Sequence, residues 1–343
     1  MHVCVLGSGA WSRVHLAALG ASPHVERVSI WGRNEVAVKQ LAAEFPGVET
    51  LPSSGDPLAS DADVVDILLP HHLHSAFACE ALAAGKHVIC EKPGATRLED
   101  FDAMVAEAET RQRRLLIVMN QLYNPVFAKL RARVQAGAIG RPFLSVENSY
   151  RNASENYRRP DYWRTSRLEA GGGVLVDGGF HMVYRHLDTL AGQGIPQWVL
   201  ADTSQLAVRV DGAQVAAKGE DFASVVVGFP GSLRIQWAHG WTLAADPTRS
   251  RQSFLAGTEG TLELTDDPAL PLALRRSAGS EAIAVPAGPR TGPETTRACL
   301  LDYLDCLATG RQPERATLTL GRLTLATILA AYRSGRSGQR EPL

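Results

Sequence analysis

Over roughly the first 120 residues, short and continuously apolar runs alternate with longer segments of helical period, a pattern few architectures accept. The runs are His2–Leu6, Arg27–Trp31, Val64–Leu69, His87–Cys90 and Leu115–Met119. Between them Val14–Leu19, Val36–Phe45, Ser75–Ala84 and Leu98–Ala108 place apolar residues three and four apart. A strand that is apolar at every position is buried on both faces, as in a parallel sheet with helices on either side. The pattern predicts a doubly wound α/β domain.

After Tyr123 the rhythm changes. A helix is expected over Pro125–Ala136, a strand over Phe143–Tyr150, and then a polar, aromatic and arginine-rich stretch from Arg151 to Glu169. A segment opening at Gly171-Gly172-Gly173 reads as a helix to about Leu190. From Trp198 to about Val285, runs such as Phe222–Phe229, Ser232–Trp241 and Thr261–Leu264 are joined by turns, which predicts a mainly antiparallel sheet. Pro286–Pro293 reads as a loop, and helices are expected over Arg297–Leu307 and Leu318–Tyr332. A chain of 343 residues exceeds one ordinary core, so two domains are expected, 1–122 and 123–343, the second an α+β domain on an open antiparallel sheet.

Composition narrows the classes of function. With a formal net charge of −1, no broad basic surface is expected for nucleic acid or anionic lipid. No run reaches the ~18 apolar residues of a membrane span, and the N-terminus enters a strand directly, without the pattern of a secretory signal. The five cysteines are odd in number and scattered, which suits a reducing compartment. A cytoplasmic protein is expected.

Gly7-Ser8-Gly9-Ala10-Trp11-Ser12 lies between the first strand and the first helix. The first glycine permits a tight turn, and the second lets backbone approach a pyrophosphate at the helix N-terminus. Ser12 fills the third, small-residue position. The context marks a Rossmann dinucleotide site rather than an ordinary turn. The second strand should end in an acid if a ribose 2′-hydroxyl is bound, yet the chain reads Ile30-Trp31-Gly32-Arg33-Asn34. Arg33 can pair with a 2′-phosphate or stack on adenine, or it is a solvated arginine with Glu35 as a displaced ribose partner. The substitution favours NADP over NAD.

Three further signatures are Leu68-Leu69-Pro70-His71-His72-Leu73-His74, Val88-Ile89-Cys90-Glu91-Lys92-Pro93, and Trp163-Arg164 followed by Gly171-Gly172-Gly173-Val174-Leu175-Val176-Asp177-Gly178-Gly179-Phe180-His181. With Gly137-Ala138-Ile139-Gly140 and Ala256-Gly257-Thr258-Glu259-Gly260-Thr261, the chain resembles the Gfo/Idh/MocA family over nearly its whole length. The family is named for glucose–fructose oxidoreductase and inositol dehydrogenase. The resemblance implies that Lys92 contacts the reacting hydroxyl and that the Glu91–Lys92–Pro93 turn borders the nicotinamide. It also implies that Pro70 and His74 border the cofactor site; Leu69 is a further candidate there, and Tyr123, Trp163, Arg164 and Tyr184 are candidate substrate contacts.

The chemistry agrees. Oxidising a secondary alcohol needs a base for the hydroxyl proton and donors where the alkoxide develops. Asp177 and His181 are four apart and share a face if helical. His181 can then act as base, with Asp177 orienting it or binding a neighbouring hydroxyl. Lys92, at the end of a parallel strand, sits over the crevice where such sheets bind ligands. Taken singly, a lysine after a strand or an Asp/His pair on a helix is more often a solvated surface group. Together and in order, they read as catalytic. His71, His72 and His74 lack a matching cysteine or carboxylate set, so no metal is expected. Two departures from the family pattern stand out: Tyr184 replaces an acid common three residues after the histidine, and His71 replaces a common asparagine. Tyr184 is then a substrate contact or a core aromatic.

The expected function is NAD(P)-dependent oxidoreduction of a sugar, sugar derivative or cyclitol. The alternatives are a hydrolase or epimerase using tightly held NAD, and a non-catalytic dinucleotide sensor. A homodimer or homotetramer is expected across the antiparallel sheet, with Val225, Val227, Leu233 and Ile235 as candidates for its alternate faces.

Overall fold

The computed structural model describes residues 1–153, 155–159, 162–206, 209–210, 213–214, 218–242, 252–265 and 267–343, so 154, 160 and 161 of the arginine-rich stretch lie outside it. The chain divides into two compact units, residues 1–123 with 289–322, and 124–288 with 323–343.

The first unit holds a six-stranded parallel sheet in the order β3-β2-β1-β4-β5-β6. Its strands are β1 (His2–Leu6), β2 (Arg27–Trp31), β3 (Val48–Thr50), β4 (Val64–Ile67), β5 (His87–Cys90) and β6 (Leu115–Ile117). Helices α1 (Ser12–Leu19), α2 (Glu35–Glu44), α3 (His74–Ala83) and α4 (Leu98–Thr110) connect them. All five β1 residues are buried, which is why that run carries no polar alternation. The chain leaves β1 toward β2 and β3 and returns on its other side as β4, so the strand order reverses between β1 and β4. At such a switch point the crevice beyond the strands' carboxyl ends takes ligands.

The second unit is built on a nine-stranded sheet in the order β16-β15-β14-β13-β7-β12-β11-β8-β17. Its strands are β7 (Pro142–Tyr150), β8 (Trp198–Ser204), β11 (Phe222–Gly228), β12 (Arg234–Gly240), β13 (Gln252–Gly257), β14 (Gly260–Leu264), β15 (Leu272–Arg276), β16 (Gly279–Ile283) and β17 (Glu341–Pro342), with a separate short ladder of β9 (Arg209–Val210) and β10 (Ala213–Gln214). Among the described residues of this sheet, only β7 and β12 pair in parallel. The helices are α5 (Pro125–Gln135), α6 (Glu155–Arg158), α7 (Arg167–Ala170) and α8 (Phe180–Thr189), while α9 (Gly292–Thr309) belongs to the first unit and α10 spans Leu318–Ser337. α8 lies on the sheet through His186 Nδ1, 2.9 Å from Ser145 Oγ, and α10 through Ser334 Oγ, which accepts the Ala201 N–H at 2.9 Å.

Three expectations need correction. Pro293 is not loop: α9 starts at Gly292 with proline in its first turn, and Thr291 and Glu294 form a reciprocal capping box. The return of α9 to the first unit was not legible from a single boundary at 122/123. Val225, Val227, Leu233 and Ile235 do not occupy alternate faces; all are at most 5% exposed. Val225 pairs with Trp237 and Val227 with Ile235, which puts them on the helix-covered face, while Ser224, Val226 and Gln236 alternate to the other.

No helix among the described residues is long and apolar enough to cross a membrane. All five cysteines are free thiols, with only Cys79 half-buried and the rest buried.

Candidate cofactor and catalytic sites

In the first unit the glycine turn folds as its sequence demands. Gly7 has φ +124°, and a Cβ there would stand 2.5 Å from the Leu68 carbonyl oxygen, so only glycine fits between β1 and the exit of β4. Ser12 is fully buried and donates its hydroxyl to the Gly7 carbonyl at 3.0 Å, closing the loop in place of a third glycine. Gly9 and Ala10 are exposed, and a Cβ on Gly9 would meet nothing within 4 Å. No side chain caps α1 and no acid sits in its first turn. The helix thus begins beside the exposed Gly9 and Ala10 with neither a side-chain cap nor an acid, and a helix N-terminus of this kind favours an anion such as a pyrophosphate. A Cβ on Gly292 would stand 3.3 Å from the Trp11 ring, so the indole lies close to the start of the helix that opens there. Arg33 is exposed just past β2, and Glu35 accepts the Ser53 hydroxyl at 2.5 Å with Lys39 at 3.9 Å.

Past the carboxyl ends of β4 and β5 come Leu69 and Pro70 and the Glu91–Lys92–Pro93 turn, in which the Lys92–Pro93 peptide is cis. His74 is fully buried, with Nε2 2.8 Å from the Leu69 carbonyl and Nδ1 2.8 Å from the Pro93 carbonyl. It ties the segment after β4 to the segment after β5. His71 is also buried, its ring edge-on to His74 at 5.5 Å. Among the described residues, no group of three or more His, Cys, Asp or Glu side chains is placed to hold a metal ion. Lys92 is 6% exposed. The Tyr123 hydroxyl donates to Asp302 of α9 at 2.5 Å, a tie within the first unit.

Sequence reasoning missed a charged cluster beneath this turn. His15 of α1 and Asp66 of β4 are wholly buried, with Nδ1 2.8 Å from Asp66 Oδ2, and Glu91 Oε1 lies 3.3 Å from His15 Nε2. The sign was present: a carboxylate in the apolar run Val64-Val65-Asp66-Ile67 must have a partner.

In the second unit α7 ends at Gly171, in left-handed conformation with φ +83°. The next turn winds around Glu220, whose carboxylate accepts N–H groups from Gly173 and Leu175 at 3.0 Å and the Tyr332 hydroxyl at 2.7 Å. Burial pushes the Glu220 carboxyl up, while Tyr332 and these amides pull it back. Gly173 packs so closely that a Cβ would fall 1.9 Å from the Glu220 carbonyl oxygen. Glu220 had no recognisable signal in the sequence.

The expected continuous helix then proves to be a π turn, Leu175–Gly179, running into α8. Such wide turns recur at functional sites. Here it presents Asp177, whose Oδ1 accepts from Arg164 Nη1 at 3.2 Å, and the guanidinium lies over the Trp163 ring at 4.7 Å. His181 occupies the first turn of α8, half-buried, with Nδ1 2.7 Å from the Tyr184 hydroxyl. Tyr184 is itself 0% exposed, so it is a partner of the histidine and not a substrate contact. Arg185 donates Nε to the His181 carbonyl at 3.2 Å and Nη2 to Glu147 of β7 at 2.5 Å, anchoring this turn to the sheet. Behind it, burial holds His186 and His239 down to about 4 and keeps both neutral.

Residues 1–119 match the oxidoreductase family with an NAD-binding Rossmann fold, and residues 127–263 match the GFO/IDH/MocA C-terminal domain. A 1,5-anhydro-D-fructose reductase of Ensifer adhaerens is 31% identical over 83% of this chain and 80% of its own. A D-apiose dehydrogenase of Paraburkholderia graminis is 26% identical over 98% and 88%. Levoglucosan dehydrogenase of Pseudarthrobacter phenanthrenivorans is 30% identical over 53% of this chain and 49% of its own, so that match spans about half of either protein. A solved structure of levoglucosan dehydrogenase with NADH and levoglucosan shares the fold at a TM-score of 0.84 and 22% identity, covering 100% of this chain and 99% of that one.

Proposed function

The chain belongs to the Gfo/Idh/MocA oxidoreductase family, and on that premise we propose that it interconverts a secondary alcohol and a ketone on a sugar, sugar derivative or cyclitol, using NADP in preference to NAD. The observation that carries the reading is His181 at the head of α8, its Nδ1 held by Tyr184 at 2.7 Å and its neighbour Asp177 presented by the π turn. Tyr184 holds the ring through Nδ1, and His181 takes the hydroxyl proton. The bound dinucleotide supplies the hydride acceptor or donor. The Gly7-Ser8-Gly9-Ala10-Trp11 turn and the α1 N-terminus hold its pyrophosphate, Arg33 its 2′-phosphate, and Leu69, Pro70 and Glu91 border the ring. Lys92 donates to the developing alkoxide. Asp177, steadied by Arg164 beside Trp163, accepts a substrate hydroxyl. We place the enzyme in the cytoplasm, which the five free thiols support. We further infer a homodimer or homotetramer through the sheet face carrying Ser224, Val226 and Gln236.

The test is a panel of sugars and cyclitols followed by reduced-nicotinamide absorbance with either cofactor. On the substrate found, Lys92→Ala should lose ~10²-fold or more in kcat, and His181→Ala ~10²–10⁴-fold, with cofactor binding retained. A folded His181→Ala protein that turns over at the wild-type rate would refute the assignment.

A further inference from the structure

Two buried histidines from different helices hold the ends of the turn that carries Lys92. At its far end His74 of α3 spans the carbonyls of Leu69 and Pro93, 2.8 Å from each. At its near end, Glu91 accepts the Lys92 backbone N–H through Oε2 at 3.1 Å and meets His15 Nε2 through Oε1 at 3.3 Å. His15 is in turn seated on Asp66 at 2.8 Å, with both side chains 0% exposed. A ring with a carboxylate on each nitrogen is an imidazolium, since only that form donates from both.

This is a costly way to stabilise a fold. Ionised groups lose their hydration on burial, and apolar side chains of similar volume often serve stability as well or better. The cluster is also incompletely satisfied, because Asp66 Oδ1 has no hydrogen-bond partner among the described residues. What it achieves is direction: α1, which begins at the phosphate turn, is linked through His15 to the backbone of Lys92. We propose that His15 and Asp66 are positioning residues for Lys92, fixing its turn through Glu91. The lysine stem leaves a backbone locked at both sides, and a misplacement of about 1 Å in such a group costs on the order of 10²-fold in rate. The proposal rests on the catalytic reading of Lys92 for its effect on turnover, but not for the brace itself.

The experiment compares wild type with Glu91→Gln and with the double variant His15→Gln/Asp66→Asn, which removes the two wholly buried charges together. In the cofactor-free protein, labelling of Lys92 by an amine-reactive ester is followed by mass spectrometry against Lys39, which is 73% exposed. Lys92 labelling should rise several-fold in both variants while Lys39 is unchanged. On the substrate found, kcat should fall at least about tenfold, with KM and NADPH affinity held within about threefold. Folded variants with lowered melting temperatures but wild-type Lys92 labelling and kcat would overturn the proposal and leave the cluster a stabilising element only. Labelling needs no substrate. Faster Lys92 labelling alongside full turnover by Lys92→Ala would uphold the brace and remove the catalytic reading.

Discussion

Replacing Tyr184 by phenylalanine isolates one hydroxyl group. The ring packs edge-on against Phe180 at 6.0 Å and His181 at 5.5 Å, and phenylalanine preserves both contacts. What disappears is the oxygen 2.7 Å from His181 Nδ1. A neutral hydrogen bond of this kind is worth about 0.5–1.5 kcal/mol net. If that energy holds the ring and its tautomer ready for proton transfer, its loss converts to a fall in kcat of about 2- to 12-fold. Dinucleotide affinity should be unchanged, because the phosphate turn lies in the other unit. Steady-state kinetics on the identified substrate gives the first number. The decisive comparison is a cycle with His181→Ala, in which removing the Tyr184 hydroxyl should cost nothing further. The reasoning fails if Tyr184→Phe lowers the residual rate of His181→Ala by the same factor, or leaves the wild-type rate untouched.

Three other outcomes follow from the geometry. Arg33→Ala should narrow the gap between NADP and NAD affinity measured by calorimetry; equal binding of the two by wild type would remove the role given to Arg33. Glu220→Gln should cost about 1.5–3 kcal/mol of stability, the scale of a charge-assisted hydrogen bond, since an amide nitrogen must face the donors of Gly173, Leu175 or Tyr332; chemical denaturation with an unchanged midpoint would count against that nest. For His15, burial pulls downward, but Asp66 and Glu91 prevail and lift it from 6.5 to about 10. Because the folded value is the higher one, its contribution to stability is complete below pH 6.5 and fades as pH rises toward 10. Melting temperature should therefore fall more across that window in wild type than in His15→Gln/Asp66→Asn.

Much of the first unit was legible because its physics is local. Continuous apolar runs such as His2–Leu6 are strands buried on both faces, and the first glycine of the turn is demanded by a backbone no other residue adopts there. β3, with only Val48-Glu49-Thr50 and mostly exposed, carried no such signal. In the second unit Asp177 and His181 could be found by spacing, but the π turn could not. It depends on Glu220, some forty residues later, filling the space that the glycines leave. Tyr184 shows the same limit: its residue type allowed a substrate contact or a core aromatic, and only its complete burial beside His181 decides between them. The expectation that Val225, Val227, Leu233 and Ile235 divide between alternate faces failed because strand register decides the face: Val227 pairs with Ile235 and Val225 with Trp237, all buried together.

The return of α9 has a consequence for how this protein is made. Cys299, Leu300, Tyr303 and Leu304 are all fully buried, Tyr303 donates to the Ile117 carbonyl at 2.6 Å, and Asn120 donates to Thr296 at 2.9 Å. The partners of that helix lie in the first 123 residues, yet some 170 residues are translated before it appears. A nascent chain thus emerges with the apolar flank of its nucleotide-binding half uncovered, and closing that contact carries the loop entropy of everything between. Synthesis from the N-terminus would leave the flank open to chaperones or to neighbouring chains until Gly292–Thr309 has been made.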